Sequence, residues 1–249
     1  NIFKDKNDRI LITTFTANLA EDIKENLKKV ADIETLKRIE VINLDKWVNE
    51  FLKRQNYTYT IDYKKVDEIL KSVIASDLAN LRFTESFYKE EWNKVILNQN
   101  ITTKEEYIKA SRIGRGTKLT RLERIGIWNI FQNFIDEMSN KDVRDIGLAM
   151  RDARTILELK PNLLSYKAVI VDEGQDFSSQ AYMLIRKILP EAPNDLFIVG
   201  DSHQRIYKNN ASLGKCGVNI KGRSKILKIN YRTSEEIRRW AYSLLNNTV

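Results

Sequence analysis

The chain of 249 residues carries 42 Lys and Arg against 34 Asp and Glu, a formal charge of +8 at pH 7, and is 42% hydrophobic. That length supports one sizeable core, or one core with a smaller satellite. No apolar run approaches the ~20 residues needed to cross a bilayer and no signal peptide heads the chain, so a cytoplasmic protein is the default expectation. A single cysteine, Cys216, excludes an internal disulfide and a cysteine-cluster metal site. The basic excess, with an isoelectric point near 9.3, raises the expectation of a polyanionic partner, above all nucleic acid.

In chain order, residues 9–14 form a short apolar strand. An amphipathic helix follows, with Leu19, Ile23, Leu27 and Val30 on one face. Residues 39–44 predict a second strand, and Asp45 is placed to cap a helix over 46–53. This alternation predicts a parallel sheet covered by helices. From Tyr59 to Leu159 no convincing strand is visible. Helical periodicities run over 66–78, 85–97, 122–138 and 143–159, with Thr84 and Asp142 as expected caps. The middle therefore reads as an all-α subdomain (59–160) inserted between two parts of a sheet domain (1–58 and 161–249).

Within that middle lies a basic, glycine-containing loop, Ser111-Arg112-Ile113-Gly114-Arg115-Gly116-Thr117-Lys118. It suits phosphate contacts through Arg112, Arg115 and Lys118, or serves as an exposed helix connector. After Pro161 the sheet pattern resumes: strands over 168–171, 196–199 and 226–229, helices over 180–189 and 234–245, the last capped by Ser234. Trp92 and Trp128 sit at core positions of their helices. Trp47 fits a core role and an exposed stacking role equally. His203 reads as a polar loop residue and Cys216 as an inert thiol.

The chemistry concentrates at three strand ends. Ala168-Val169-Ile170-Val171 runs directly into Asp172-Glu173-Gly174-Gln175-Asp176. In an open α/β sheet ligands gather at the carboxyl ends of strands, so Asp172 is placed to hold a hydrated Mg²⁺ and Glu173 to polarise a water. The second strand ends in Val199-Gly200-Asp201 followed by Gln204, an amide able to sense a terminal phosphate. The third ends in Asn230-Tyr231-Arg232-Thr233, where a planar guanidinium is offered beyond a strand.

Together these segments resemble motifs II, III and IV of UvrD/Rep/PcrA-like superfamily I helicases. Ile12-Thr13-Thr14-Phe15-Thr16-Ala17-Asn18-Leu19-Ala20 resembles their motif Ia, and Asn43-Leu44-Asp45-Lys46-Trp47 stands where the next motif falls. The resemblance implies an α/β fold of the RecA-like, P-loop NTPase type, with an inserted helical subdomain. It also implies an ATP-dependent DNA helicase moving 3′ to 5′ on single-stranded DNA, with ATP and Mg²⁺ as cofactors. By the same resemblance Asp172 holds Mg²⁺, Glu173 activates the attacking water and Gln175 couples nucleotide state to movement. Gln204 contacts the γ-phosphate with Asp201 nearby, Arg232 acts as an arginine finger, and Tyr231 stacks on adenine. Thr14, Phe15, Asn18, Trp47 and Tyr207 are placed by it near the single strand.

One departure matters most: no GxxxxGK[ST] phosphate loop occurs in these residues. The resemblance places that loop before Asn1 and a second RecA-like domain after Val249. The expectation is therefore an internal piece of a longer motor that does not hydrolyse ATP at a useful rate by itself. A nucleic-acid-binding or regulatory module with a lost ATPase, and an RNA-directed helicase, are the competing expectations.

Overall fold

The computed structural model describes residues 5, 7–76, 83–161, 163–201, 212–227 and 233–246. The chain divides into two compact units, residues 1–218 and 219–249. The first contains strand β1 (Arg9–Thr14), helices α1 (Ala17–Val30) and α2 (Ile33–Lys37), strand β2 (Ile39–Asn43) and helix α3 (Leu44–Arg54). A short strand β3 (Thr60–Ile61) leads into α4 (Tyr63–Ala75). Then come α5 (Glu85–Glu91) with a π-helical continuation (Trp92–Leu97), α6 (Lys104–Lys109) and α7 (Arg121–Asn140). Strand β4 (Val143–Arg144), α8 (Ile146–Leu159), β5 (Tyr166–Val171), α9 (Ser179–Ile188) and β6 (Leu196–Ile198) complete it. The second unit contributes α10 (Glu235–Asn246).

The main sheet has the order β2-β1-β5-β6, and every pairing in it is parallel. β1 and β5 are its inner strands, covered on both faces. On one face Leu11, Val169 and Val171 pack with Leu44, Val48 and Phe51 of α3 and Leu184 and Ile185 of α9. On the other, Ile12 and Val41 meet Ala20, Ile23 and Leu27 of α1. This three-layer α/β arrangement is the architecture expected of the sheet-forming ends.

A second apolar cluster lies among the middle helices, around Tyr88, Trp92, Tyr107, Trp128, Phe131 and Phe134. Its rings meet edge-on, as with Tyr88 and Phe131 at 6.3 Å and 83°, the geometry their quadrupoles favour. Helix α8 belongs to both clusters: Leu148 faces the helical one, while Ala149, Ala153 and Leu157 face the sheet. The helical middle thus ends in a helix that is itself a layer of the sheet domain.

Several local expectations are corrected. Asn43, not Asp45, caps α3 by accepting the Lys46 N–H. Asp145, not Asp142, caps α8, accepting the N–H groups of Gly147 and Leu148. Asp142 is left-handed, with φ of 51°, and its carbonyl receives the Thr60 N–H. That turn lets β4 pair in parallel with β3, two-residue strands too short to leave a periodic signal. Thr84 does cap α5. Ile226 and Leu227 are not in a strand, and Lys228 and Ile229 lie outside the described residues. Ser234 accepts the Ile237 N–H at the start of α10.

Candidate active site and nucleic-acid interface

At the carboxyl end of β5 the chain turns sharply. Asp172 still belongs to the sheet, donating its N–H to the Thr13 carbonyl at 2.9 Å. Its side chain folds back to accept the Glu173 N–H at 3.0 Å. Glu173 is then left-handed, with φ of 52° and ψ of 42°, a conformation that costs a non-glycine residue free energy and clusters at functional sites. The turn aims both carboxylates out of the strand end.

Gln175 ties this turn to the next strand. Its Nε2 donates to Glu173 Oε2 at 2.5 Å, and its Oε1 accepts the Asp201 N–H at 3.0 Å. Gly174 donates to the Val199 carbonyl at 2.8 Å, and Tyr182 of α9 donates its hydroxyl to the Gly174 carbonyl at 2.5 Å. The approach is close at Gly200. A Cβ on Gly200 would lie 2.7 Å from Gln175 Oε1 and 3.1 Å from its backbone nitrogen. A larger residue would push the two strand ends apart.

Asp172 offers a single half-buried carboxylate here. Among the described residues no three acidic, histidine or cysteine side chains converge on one point. Such a donor set fits a Mg²⁺ that keeps most of its waters and completes its shell with substrate phosphates, rather than one caged by protein. Gln204, Tyr207, Tyr231 and Arg232 lie outside the described residues.

Beside the strand ends a cavity of about 630 Å³ is lined from both apolar clusters: Phe15, Asp45 and Phe177 on one side, Tyr63, Asn93 and Asn98 on the other. Phe15 is half-buried and meets Phe177 edge-on at 6.3 Å. Asn43, which sequence reading passed over, orients this end of β1: its Nδ2 donates to the carbonyls of Thr14 at 3.3 Å and Phe15 at 2.5 Å. An asparagine directly before an apolar helical face was the available signal. Asn18 is exposed in the first turn of α1.

Other members of the expected interface are turned inward. Thr14 is fully buried on an inner strand, and its hydroxyl has no hydrogen-bond partner among the described residues. Trp47 is 3% exposed, stacks on Phe51 at 5.0 Å and 6°, and donates its Nε1–H to the Tyr166 hydroxyl at 3.2 Å. It is a core residue. Arg112 and Arg115 line the same cavity, but each side chain is 5% exposed and paired with the wholly buried Glu91. Arg115 additionally pairs with Glu90, and both guanidinium groups lie over the Phe87 ring.

Burial alone would push the Glu91 carboxyl up, but hydrogen bonds from Arg112, Tyr107 and Arg115 outweigh it and hold it below the usual carboxylate range. The loop is thus pinned to its own subdomain, because a buried carboxylate needs those cations more than a phosphate in water does. Lys118 alone of the three basic residues is exposed.

A parallel sheet whose adjoining strand ends present Asp172-Glu173 and Gly200-Asp201, bridged by Gln175, defines a RecA-like helicase domain. The chain belongs to the UvrD/REP helicase N-terminal domain family, whose sequence model matches residues 3–213. It is similar to the ATP-dependent DNA helicase Rep of Buchnera aphidicola subsp. Acyrthosiphon pisum (strain APS), 25% identical over 97% of this chain and 38% of the relative. It is also similar to the probable DNA helicase II homolog of Mycoplasma genitalium (strain ATCC 33530 / DSM 19775 / NCTC 10195 / G37), 24% identical over 82% of this chain and 31% of the relative. The chain therefore spans about a third of the length of these relatives.

Proposed function

We propose that this chain is the first RecA-like portion, with residues 59–160 as its inserted helical subdomain, of an ATP-dependent DNA helicase moving 3′ to 5′ on single-stranded DNA. The observation that carries the reading is the Glu173–Gln175–Asp201 bridge. One amide holds the residue suited to activating water and the backbone of the neighbouring strand end, so a change at either is felt at the other.

In this reading Asp172 holds Mg²⁺, which when bound neutralises charge on the β- and γ-phosphates. Glu173 accepts a proton from the attacking water, and Gln175 fixes the Glu173 carboxylate in its left-handed turn. Gln204 and Arg232 contribute an amide and a guanidinium to the same phosphates, and Tyr231 stacks on adenine. Single-stranded DNA passes the cavity that Phe15 lines, with the exposed Asn18 and Lys118 available to phosphates.

In the full-length protein Glu173→Gln is expected to lower DNA-stimulated ATP turnover by about 10²–10⁴-fold while nucleotide binding is retained. Filter binding of ATP alongside a phosphate-release assay reads both. Undiminished turnover in that variant would remove Glu173 from its role.

A further inference from the structure

At the opposite end of β5 from the carboxylates, the segment entering the strand, the C-terminal ends of α8 and α9 and the 213–217 turn enclose an open groove of about 1090 Å³. Its floor is aliphatic: Leu157, Leu164, Met183, Ile188 and Leu189. The charge around it is uneven. Arg186 is neutralised by Asp195 at 2.6 Å and Lys187 by Glu158 at 3.2 Å.

Arg154 makes no ion pair within 4 Å among the described residues, and the Glu158 carboxylate one turn on along α8 attracts it without contact. Its Nη2 donates to Asn100 Oδ1 at 2.8 Å, and its Nη1 to Met183 Sδ at 3.1 Å and Gln180 Oε1 at 3.4 Å. All three acceptors are uncharged. Burial pushes this guanidinium down from its ordinary value, against the attraction of the Glu158 carboxylate, as expected of a cation that is only partly compensated. One turn earlier on α8, Arg151 donates to the Ile101 carbonyl, and its buried Nε has no partner among the described residues. At the rim, Lys160 donates to the Gln55 amide oxygen at 3.0 Å and makes no ion pair among the described residues, and Lys215 lines the mouth. Glu191 is the acid of the lining that no ion pair engages among the described residues.

We propose that this groove is a docking site for an acidic, leucine-bearing segment of another protein, with Arg154 receiving a carboxylate. A guanidinium already held by neutral acceptors offers its remaining donors in a fixed fork, and carboxylate is the anion that matches it in two parallel bonds. Leucines from the same segment would cover the aliphatic floor, as in helix-in-groove recognition. Nucleic acid fits less well, because no aromatic ring lines the groove for bases to stack on. The carbonyl ends of α8 and α9 repel an anion weakly, so attraction depends on Arg154, Lys160 and Lys215.

The test is fluorescence anisotropy with a fluorescein-labelled amphipathic peptide of about 15 residues, aspartates on one face and leucines on the other, against the same peptide with lysine for aspartate. The acidic peptide is expected to bind saturably and the lysine peptide not at all. Arg154→Gln and, independently, Lys215→Glu are each expected to weaken binding at least tenfold with an unchanged circular-dichroism melt. Lys215→Glu changes a rim residue, so it carries the test if Arg154→Gln fails to fold. Unchanged affinity in the folded variants, or no saturable binding by the native chain, overturns the proposal. So does tighter, Lys215-dependent binding of a single-stranded oligonucleotide in place of the peptide. None of these results depends on Asp172 or Glu173, so failure here leaves the helicase reading standing.

Discussion

Trp47 shows how one residue's motif position and its physical role diverge. Its place suggested a ring offered to bases, yet the ring stacks on Phe51 and the indole N–H meets a tyrosine 119 residues away. Trp47→Phe keeps the stack and removes one buried hydrogen bond. It is expected to cost about 1 kcal/mol in a urea titration and to leave affinity for single-stranded DNA unchanged. A selective loss of DNA affinity without loss of stability would return Trp47 to the interface. At the strand ends, by contrast, residues marked in the sequence are joined by hydrogen bonds. Asp172 and Glu173 leave a buried strand abruptly, and Gln175 and Asp201 are bonded to each other across the gap. What the sequence did not show is that Glu173 is left-handed and that the Gln175 amide lies close against Gly200, where a Cβ would have to displace it.

Among the elements, α8 joins the two apolar clusters, and its first turn is held by the half-buried Asp145 carboxylate. Burial pushes that carboxyl up, while the N–H groups of Gly147 and Leu148 act against it. The sign follows from proton linkage: with a raised native value the fold binds the proton more tightly than the unfolded chain does. This contribution to stability is therefore fully present below the ordinary 3.8 and is lost as pH rises through the native value. Asp145→Asn keeps an N-cap acceptor and removes the titration, so its melting temperature at neutral pH is expected to equal or exceed that of the native chain. Asp145→Ala loses the cap, about 1 kcal/mol, which thermal melts at pH 7.5 would show as a fall. Equal melting of the alanine variant would mean that the cap contributes nothing.

Over the whole molecule, the basic excess overstates the charge available to DNA. Ion pairs engage many of the cations, including Arg112 and Arg115 in the loop that read as a phosphate contact. Affinity for single-stranded DNA should fall with salt by about 0.7 log units per log unit of salt for each phosphate neutralised. Arg112→Gln is expected to lower stability and leave that slope unchanged, whereas Lys118→Glu should reduce the slope by about 0.7. Titrations at several salt concentrations separate them, and a shallower slope in a folded Arg112→Gln variant would mean that the pinned loop opens to reach DNA. No helix among the described residues is long and apolar enough to cross a membrane.

By itself the sequence determined the parallel α/β class, the positions of β1, β2 and β5, and the acid-tipped strand end with its family resemblance. These are written in runs of adjacent residues, where a period of two or 3.6 and an abrupt change of polarity survive in one dimension. Only the tertiary structure decided which of the marked side chains face outward. Glu91 captures Arg112 from 21 residues away, and Tyr166 captures Trp47 from the far side of the helical subdomain. The two-residue strands β3 and β4 pair where the Asp142 carbonyl receives the Thr60 N–H. Each depends on a partner distant in the chain, and the free energy of burying or pairing a polar group is set by that partner rather than by its neighbours in sequence.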